Sequence, residues 1–151
     1  MVYTSEFPIF SVTVDAVCLS IRDDAVKVLL VERGSDPFQG KLAFPGGFVE
    51  IDEDLETAAR RELLEETGVE APSHIEQLAA YGRPGRDPRG RTVTIAYLAL
   101  VDEMGEASGG SDAAAAGWYD VADLLADPQM LAFDHAEILA DALERARAAR
   151  G

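Results

Sequence analysis

The sequence predicts an α/β fold in which helices cover both faces of one central mixed sheet. Two observations lead there. Valine-rich, strand-like segments recur along the chain, and two substantial helical patterns, one mid-chain and one terminal, alternate with them. At 151 residues, 48% hydrophobic and 27% charged, the chain is expected to form one domain over 1–151 with a single core.

Taken in order, Phe10 to Ile21 alternates loosely and reads as a strand. Arg22-Asp23-Asp24 reads as a turn, and Val26 to Val31 as a second strand buried on both faces. Arg33 to Lys41 carries Gly34, Pro37 and Gly40 and is expected to loop. A short strand, Leu42 to Phe44, delivers the chain to Pro45-Gly46-Gly47, where successive glycines let backbone approach a ligand. Ile75 to Tyr81 and Arg91 to Val101 are further strands, the latter the most regularly patterned. Asp102 to Gly117 is small, acidic and glycine-containing and reads as a loop. Trp118-Tyr119 then starts a short strand before a helical turn near Val121 to Ala126. The last helix is expected from His135 to Arg147. Asp134 would cap it with Glu137 three residues on, a Phe133–Ile138 staple would hold the entry, and His135 would lie exposed in the first turn.

The chemistry concentrates between Gly47 and Val69. A helix is expected to begin near Asp54, after a run of acids that suits its dipole, and to stop at Gly68 in a left-handed cap. At about 100° per residue, Leu55, Ala58, Ala59 and Leu63 form an apolar arc with Leu64 the exception, and Glu62, Glu65 and Glu66 point into it. Carboxylates that close repel one another, and partial burial raises the cost. Arg61 neutralises one charge at most, so a divalent metal is the economical counter-ion. Hard oxygen donors select magnesium, manganese or calcium over zinc or copper. Magnesium held this way completes its shell with water and substrate phosphate oxygens. A bare ELLEE string reads more readily as a solvated acidic helix face with intrahelical Glu–Arg pairs.

A second concentration lies in Gly82 to Arg91, where Arg83, Arg86, Arg89 and Arg91 surround the single Asp87. Four of the chain's 13 basic residues sit there, against a net charge of −15. The segment either balances the acidic surface or clamps phosphate and ribose oxygens with bidentate guanidiniums. The candidate substrate contacts are Arg83, Arg86, Asp87 and Arg89, with Phe44 ahead of the double glycine.

The Gly47–Val69 stretch resembles the Nudix box: G, five residues, E, seven residues, then R-E-U-x-E-E-x-G-U with U aliphatic. Gly47, Glu53, Arg61, Glu62, Leu63, Glu65, Glu66, Gly68 and Val69 fill all its specified positions. The resemblance implies the Nudix α/β/α sandwich and hydrolysis of a nucleoside diphosphate linked to another group. It implies that Glu62, Glu65, Glu66 and the Gly47 carbonyl, with Glu53 as a further candidate, hold one to three magnesium or manganese ions. Arg61 would orient the box carboxylates, and a base from the later loop would be Glu103, Glu106 or Asp112. Further stretches (TVDAV, DPFQGKLAFPGGFVE, PGRDPRGRTVTIAYLALV and FDHAEIL) are similar to the ADP-ribose pyrophosphatase branch, with one departure at Leu42, where tryptophan is frequent. That branch implies ADP-ribose as substrate and a homodimer. The box alone fits a nucleoside triphosphate pyrophosphohydrolase equally. A ligand-sensing regulator is the rival of another class, though such proteins usually pair a damaged box with a basic DNA-binding domain.

The net charge of −15 argues against nucleic acid and anionic membranes as partners, while local arginines and metals leave a small nucleotide open. The lone Cys18 sits in an apolar strand and is expected to be a buried hydrophobe. No signal peptide pattern or membrane-length apolar run is present, so a cytoplasmic protein is expected.

Overall fold

The first strand, β1 (Ser11–Arg22), organises the sheet. The structure, a computed structural model, describes residues 2–107 and 113–150. Strand β1 turns at Asp23-Asp24 into antiparallel β2 (Ala25–Arg33). On its other edge it runs parallel to β6 (Thr92–Val101), in register from Ser11↔Thr92 to Ser20↔Val101. The short β3 (Leu42–Ala43) pairs with β2, and β4 (Gly46–Phe48) pairs with β1. Strand β5 (Glu76–Tyr81) edges β6, and β7 (Ala113–Asp120) runs antiparallel to β2. The main path is β3-β2-β1-β6-β5, a mixed sheet.

Alternation along the strands sorts side chains between two cores. Val14, Ala16 and Cys18 of β1 join Ala58, Ala59 and Leu63 of helix α1 (Leu55–Thr67) on one face. Val17 and Leu19 join Val121 and Leu124 of α2 (Val121–Ala126) and Ile138, Leu139 and Ala142 of α3 (His135–Arg150) on the other. The expected α/β/α sandwich is therefore what the chain forms. Cys18 is fully buried, and burial pushes its thiol up to about 12. Leu42, where the resemblance breaks, is a core residue of the α3 face. Among the described residues no helix is long and apolar enough to cross a membrane.

Helix α1 begins and ends where the sequence places it. The Asp54 carboxylate accepts from Leu55 N at 2.8 Å, and Gly68, at φ 75°, donates its N–H to Leu64 O. Thr67, fully buried, donates its hydroxyl to Leu63 O and accepts from Val69 N. The apolar stripe is narrow, essentially two alanines and Leu63, because the acids take the rest of the helix. One buried leucine supplies roughly 2 kcal/mol, so α1 is held more by its caps and ion pairs than by area.

Several expectations give way. Gly46–Phe48 is a strand, because its backbone completes the β1 edge at Thr13↔Phe48, Val14↔Gly47 and Asp15↔Gly46. Strand β7 starts at Ala113, inside the expected loop; alanine carries little strand preference, and pairing with β2 decides the conformation. Helix α3 continues to Arg150. At its start, the Asp134 carboxylate is taken by Arg86 (2.7 and 2.9 Å) rather than by helix N–H groups. Phe133, at φ 51°, turns away from a staple to pack on Phe38 and His135, while Ile138 enters the core. His135 is buried, 3% exposed, not surface-lying. Its ring stacks on Phe44 (centroids 4.6 Å apart), and Nδ1 accepts the Phe44 N–H at 3.2 Å. The element it begins is thereby tied to the β3–β4 turn.

Two outcomes are expected. The Arg86 side chain is 4% exposed, and removing one member of such a buried pair costs about 3 kcal/mol. Arg86→Ala and Asp134→Ala should each lower unfolding free energy by about that amount, with the double variant losing much less than the sum; additive losses in chemical denaturation would contradict the pairing. Burial holds the His135 imidazole below its ordinary value. Its folded pKa being depressed, the unfolded chain binds the extra proton, so stability is full above about pH 6.5 and is lost as pH falls below it. Denaturation midpoints from pH 5 to 8 should show this slope in wild type, and a weaker slope in His135→Asn.

Candidate active site

The site is built where β4, α1 and the β5–β6 segment meet. Arg61, in the second turn of α1, is its hub. Its Nε and Nη2 donate to the two Glu53 carboxylate oxygens at 2.6 and 2.8 Å, and Nη1 donates to Glu62 Oε1 at 2.8 Å and Glu65 Oε2 at 3.2 Å. The Arg61 hydrogen bonds hold Glu53 down at about 2 and push the guanidinium itself upward. One cation therefore faces three carboxylates, and a fourth lies beyond its reach.

That fourth is Glu66. Burial, then a hydrogen bond and like charge from Glu62, push it up to about 9. The Gly46 N–H, which also donates to Glu66, only partly opposes this. Glu62 and Glu66 lie one helical turn apart, so a cation between them would relieve their like charge. Gly47 completes the arrangement. A Cβ there would stand 2.8 Å from Glu62 Oε1, so a side chain at this position would have to push the Glu62 carboxylate aside. Glu65 differs from its expected inward direction: its side chain is 59% exposed and leans on Arg61.

These donors fit a hard divalent ion. Among the described residues no three histidine, cysteine, aspartate or glutamate side chains form a ready-made cage. Magnesium does not need one, since it is ordinarily held by one or two carboxylates and completed by water and phosphate oxygens. A pair of oxygen-only donors with no histidine or cysteine beside it suits magnesium or manganese better than zinc.

On the other side of Gly46–Gly47 lies a cavity of about 90 Å³. Phe44, Arg86, Asp87 and Arg89 of the sequence-derived set line it, as does Phe48, which the sequence did not single out. The arginines differ in what they offer. Arg86 is buried and fully engaged by Asp134, so its fork stiffens the wall. Arg89 donates through Nε and Nη2 to Asp87 at 3.0 and 2.8 Å, and its guanidinium lies 5.2 Å from the Phe48 ring centroid. Burial opposes the Asp87 charge, but Arg89 outweighs it and holds the carboxyl below its usual value. Arg83 is 70% exposed and reaches Glu137 at 3.5 Å, away from the cavity lining. Glu103 and Glu106 are exposed and do not line the cavity; Asp112 lies outside the described residues.

Sequence reasoning passed over Asp15, Thr94, His135, Arg33 and Phe133. Asp15, buried in β1, accepts the Thr94 hydroxyl at 2.6 Å and stands 3.7 Å from His135 Nε2. An acid in the apolar run TVDAVCL is a signal that was available. For the others the signal is tertiary: β2 and the start of α3 come together only in the fold.

The NUDIX domain family model matches residues 12–142. Among relatives, an ADP-ribose pyrophosphatase of Methanocaldococcus jannaschii is 43% identical over 76% of this chain and 64% of its own length. The ADPR responsive transcriptional repressor NtrR of Acinetobacter baylyi is 35% identical over 93% of this chain and 56% of its own. The chain thus spans just over half to just under two thirds of these relatives. Among solved structures, the NUDIX domain of Shewanella oneidensis NrtR, complexed with ADP ribose, superposes with a TM-score of 0.83 at 40% identity, covering 92% of this chain and 90% of that one. A MutT/nudix family protein from Enterococcus faecalis gives 0.84 at 36% identity, over 95% of this chain and 64% of that one. With the box, the sandwich and a family match over most of its length, the chain belongs to the Nudix family.

Proposed function

We propose that this protein is a divalent-metal-dependent Nudix hydrolase that cleaves ADP-ribose to AMP and ribose 5-phosphate. The observation that carries the reading is the complete box, with Glu62 and Glu66 set against Gly46–Gly47 on the wall of a cavity lined by Arg89, Asp87, Phe44 and Phe48. The likeness to an ADP-ribose pyrophosphatase supports the choice of substrate.

Glu62 and Glu66, with the Gly47 carbonyl, would hold magnesium or manganese. When bound, the ion neutralises the diphosphate and lowers the pKa of a coordinated water. The chain's own residues do the rest. Arg61 fixes Glu62 and Glu65 and keeps Glu53 ionised, so the carboxylates are oriented before substrate arrives. Phe48 and the Arg89 guanidinium above it present a flat, cationic platform for a base or ribose. Water adds across one phosphorus–oxygen bond of the bridge, its oxygen joins that phosphorus, and the other phosphate leaves with the bridging oxygen.

A second reading has a specific observation in its favour. Repressor relatives respond to ADPR or are solved with ADP ribose bound, so this chain could bind the same ligand as a sensor without turnover. An intact set of box carboxylates favours turnover.

Steady-state kinetics with magnesium on ADP-ribose, NADH, diadenosine polyphosphates and oxidised dGTP decides among these. Preferential release of AMP and ribose 5-phosphate is expected. Preference for a triphosphate would replace the assignment with a pool-cleaning pyrophosphohydrolase, and binding without hydrolysis would make the protein a sensor. Glu62→Gln and Glu66→Gln should each lower kcat by at least 100-fold, a loss of about 2.7 kcal/mol in transition-state stabilisation, while the folded domain keeps its circular dichroism. Chelation of the metal should abolish activity reversibly. Variants with near-native turnover would remove these carboxylates from the mechanism.

A further inference from the structure

Thr13, Asp15 and His135 line the cavity, and the chemistry proposed above uses none of them. Thr13 and Asp15 are two residues apart on β1 and so stand on one face of it. The wall is tight here, since a Cβ on Gly46 would lie 2.6 Å from Asp15 Oδ1. Asp15 commits its other oxygen, Oδ2, to the Thr94 hydroxyl. Among the described residues Oδ1 accepts no hydrogen bond; it faces His135 Nε2 at 3.7 Å, too far for one.

His135 is the mirror image. Its Nδ1 accepts the Phe44 N–H at 3.2 Å, and burial holds the imidazole below its ordinary value, so the neutral ring carries its proton on Nε2. The ring is fixed 4.6 Å from Phe44 and 5.4 Å from Phe133, centroid to centroid. Among the described residues the one sealed side-chain polar atom without a partner is Ser20 Oγ. Asp15 Oδ1 and His135 Nε2 also lack partners but are not sealed, so the cavity reaches both. A buried acid and a buried imidazole thus offer it an acceptor and a donor side by side, one held by Thr94 and the other by Phe44. Asp15 repels an anion, so a phosphate does not answer this pair. A neutral group that both gives and takes hydrogen bonds does. Neighbouring hydroxyls on a sugar ring fit in either order, one donating to Oδ1 and one accepting from Nε2–H, with the Thr13 hydroxyl on the same wall.

We propose that Asp15 and His135 form a diol subsite that receives the 2- and 3-hydroxyls of a ribose, so that these two residues select ribose over deoxyribose in the ligand. The subsite presupposes that the cavity takes a nucleoside diphosphate derivative, and adds which feature of its sugar is read.

Titration calorimetry in chelator tests it, with ADP-ribose, its four analogues lacking the 2- or 3-hydroxyl of either ribose, and IDP-ribose, whose base has a carbonyl in place of the amine. Wild type should bind the deoxy analogues of one ribose about 10-fold or more weakly than ADP-ribose, because a site built for a hydroxyl is left with unpaired groups without it. The ribose affected identifies which of the two sugars the pair holds. Asp15→Asn keeps the size of the side chain and a carbonyl for Thr94. It should weaken ADP-ribose by a similar factor and bring one of those deoxy analogues to within about threefold of ADP-ribose. A wild type indifferent to all four hydroxyls overturns the inference, even where the variant fails to fold, as does one that binds none of the ligands. An Asp15→Asn protein that loses every ligand equally marks a structural role and overturns it too, as does one that discriminates like wild type. Weakening confined to IDP-ribose would give the pair to the amine edge of the base instead. Hydrolysis of ADP-ribose in magnesium is followed in parallel. No turnover with hydroxyl discrimination intact removes the proposed activity alone, and turnover without discrimination removes the subsite alone.

Discussion

Unbalanced negative charge on the inward side of α1 is the constraint from which the rest of the site follows. Three carboxylates, Glu53, Glu62 and Glu65, hydrogen-bond one guanidinium, and Glu66 lies beyond it. Arg61 satisfies the first three by hydrogen bonds, and Glu66 is left with Glu62 as its neighbour. Burial and the like charge of Glu62 one turn away both work against the Glu66 charge, and a cation beside the pair would relieve both. Gly46 and Gly47 bring β4 so near that a side chain at either position would collide with β1 or with Glu62.

The sheet explains why the double glycine borders a cavity. Strand β4 hangs on the end of β1, opposite the parallel β1–β6 pairing, so the double glycine lies between α1 on one side and the β5–β6 segment on the other. Arg86 locks that segment to the start of α3 through Asp134, and His135 locks α3 to Phe44. The cavity wall is thus braced by a buried ion pair and an imidazole that accepts a backbone N–H. Polar groups used in this way fix geometry more than they add stability.

Much of the fold and half of the site were legible in the sequence, for identifiable reasons. The box helix carries its own punctuation, Asp54 at one end and Gly68 at the other, and β6 is a long alternating run whose two faces serve the two cores. The four-alanine start of β7 carried no such mark, because its strand conformation comes entirely from β2. Glu62 and Glu66 could be read from spacing, since a helix of known phase places them, while Gly47 came only with the resemblance. The arginines could not: Gly82 to Arg91 shows four similar residues, and only the tertiary structure separates Arg86, consumed by Asp134, from Arg89, paired locally with Asp87. Arg33 stood in a segment that reads as a plain strand-to-loop transition, and its exposure to the cavity depends on a bulge that no local pattern announced. His135 was misjudged for the same reason, a helix start being a surface feature unless another element covers it.

The proposed function stands on a hard divalent ion held by Glu62, Glu66 and the Gly46–Gly47 strand. Anomalous scattering from a crystal soaked in manganese measures that directly. A peak within coordinating distance of Glu62, Glu66 and the Gly47 carbonyl is the predicted result. A featureless map there, with both carboxylates in their present places and manganese bound elsewhere or nowhere, would contradict it.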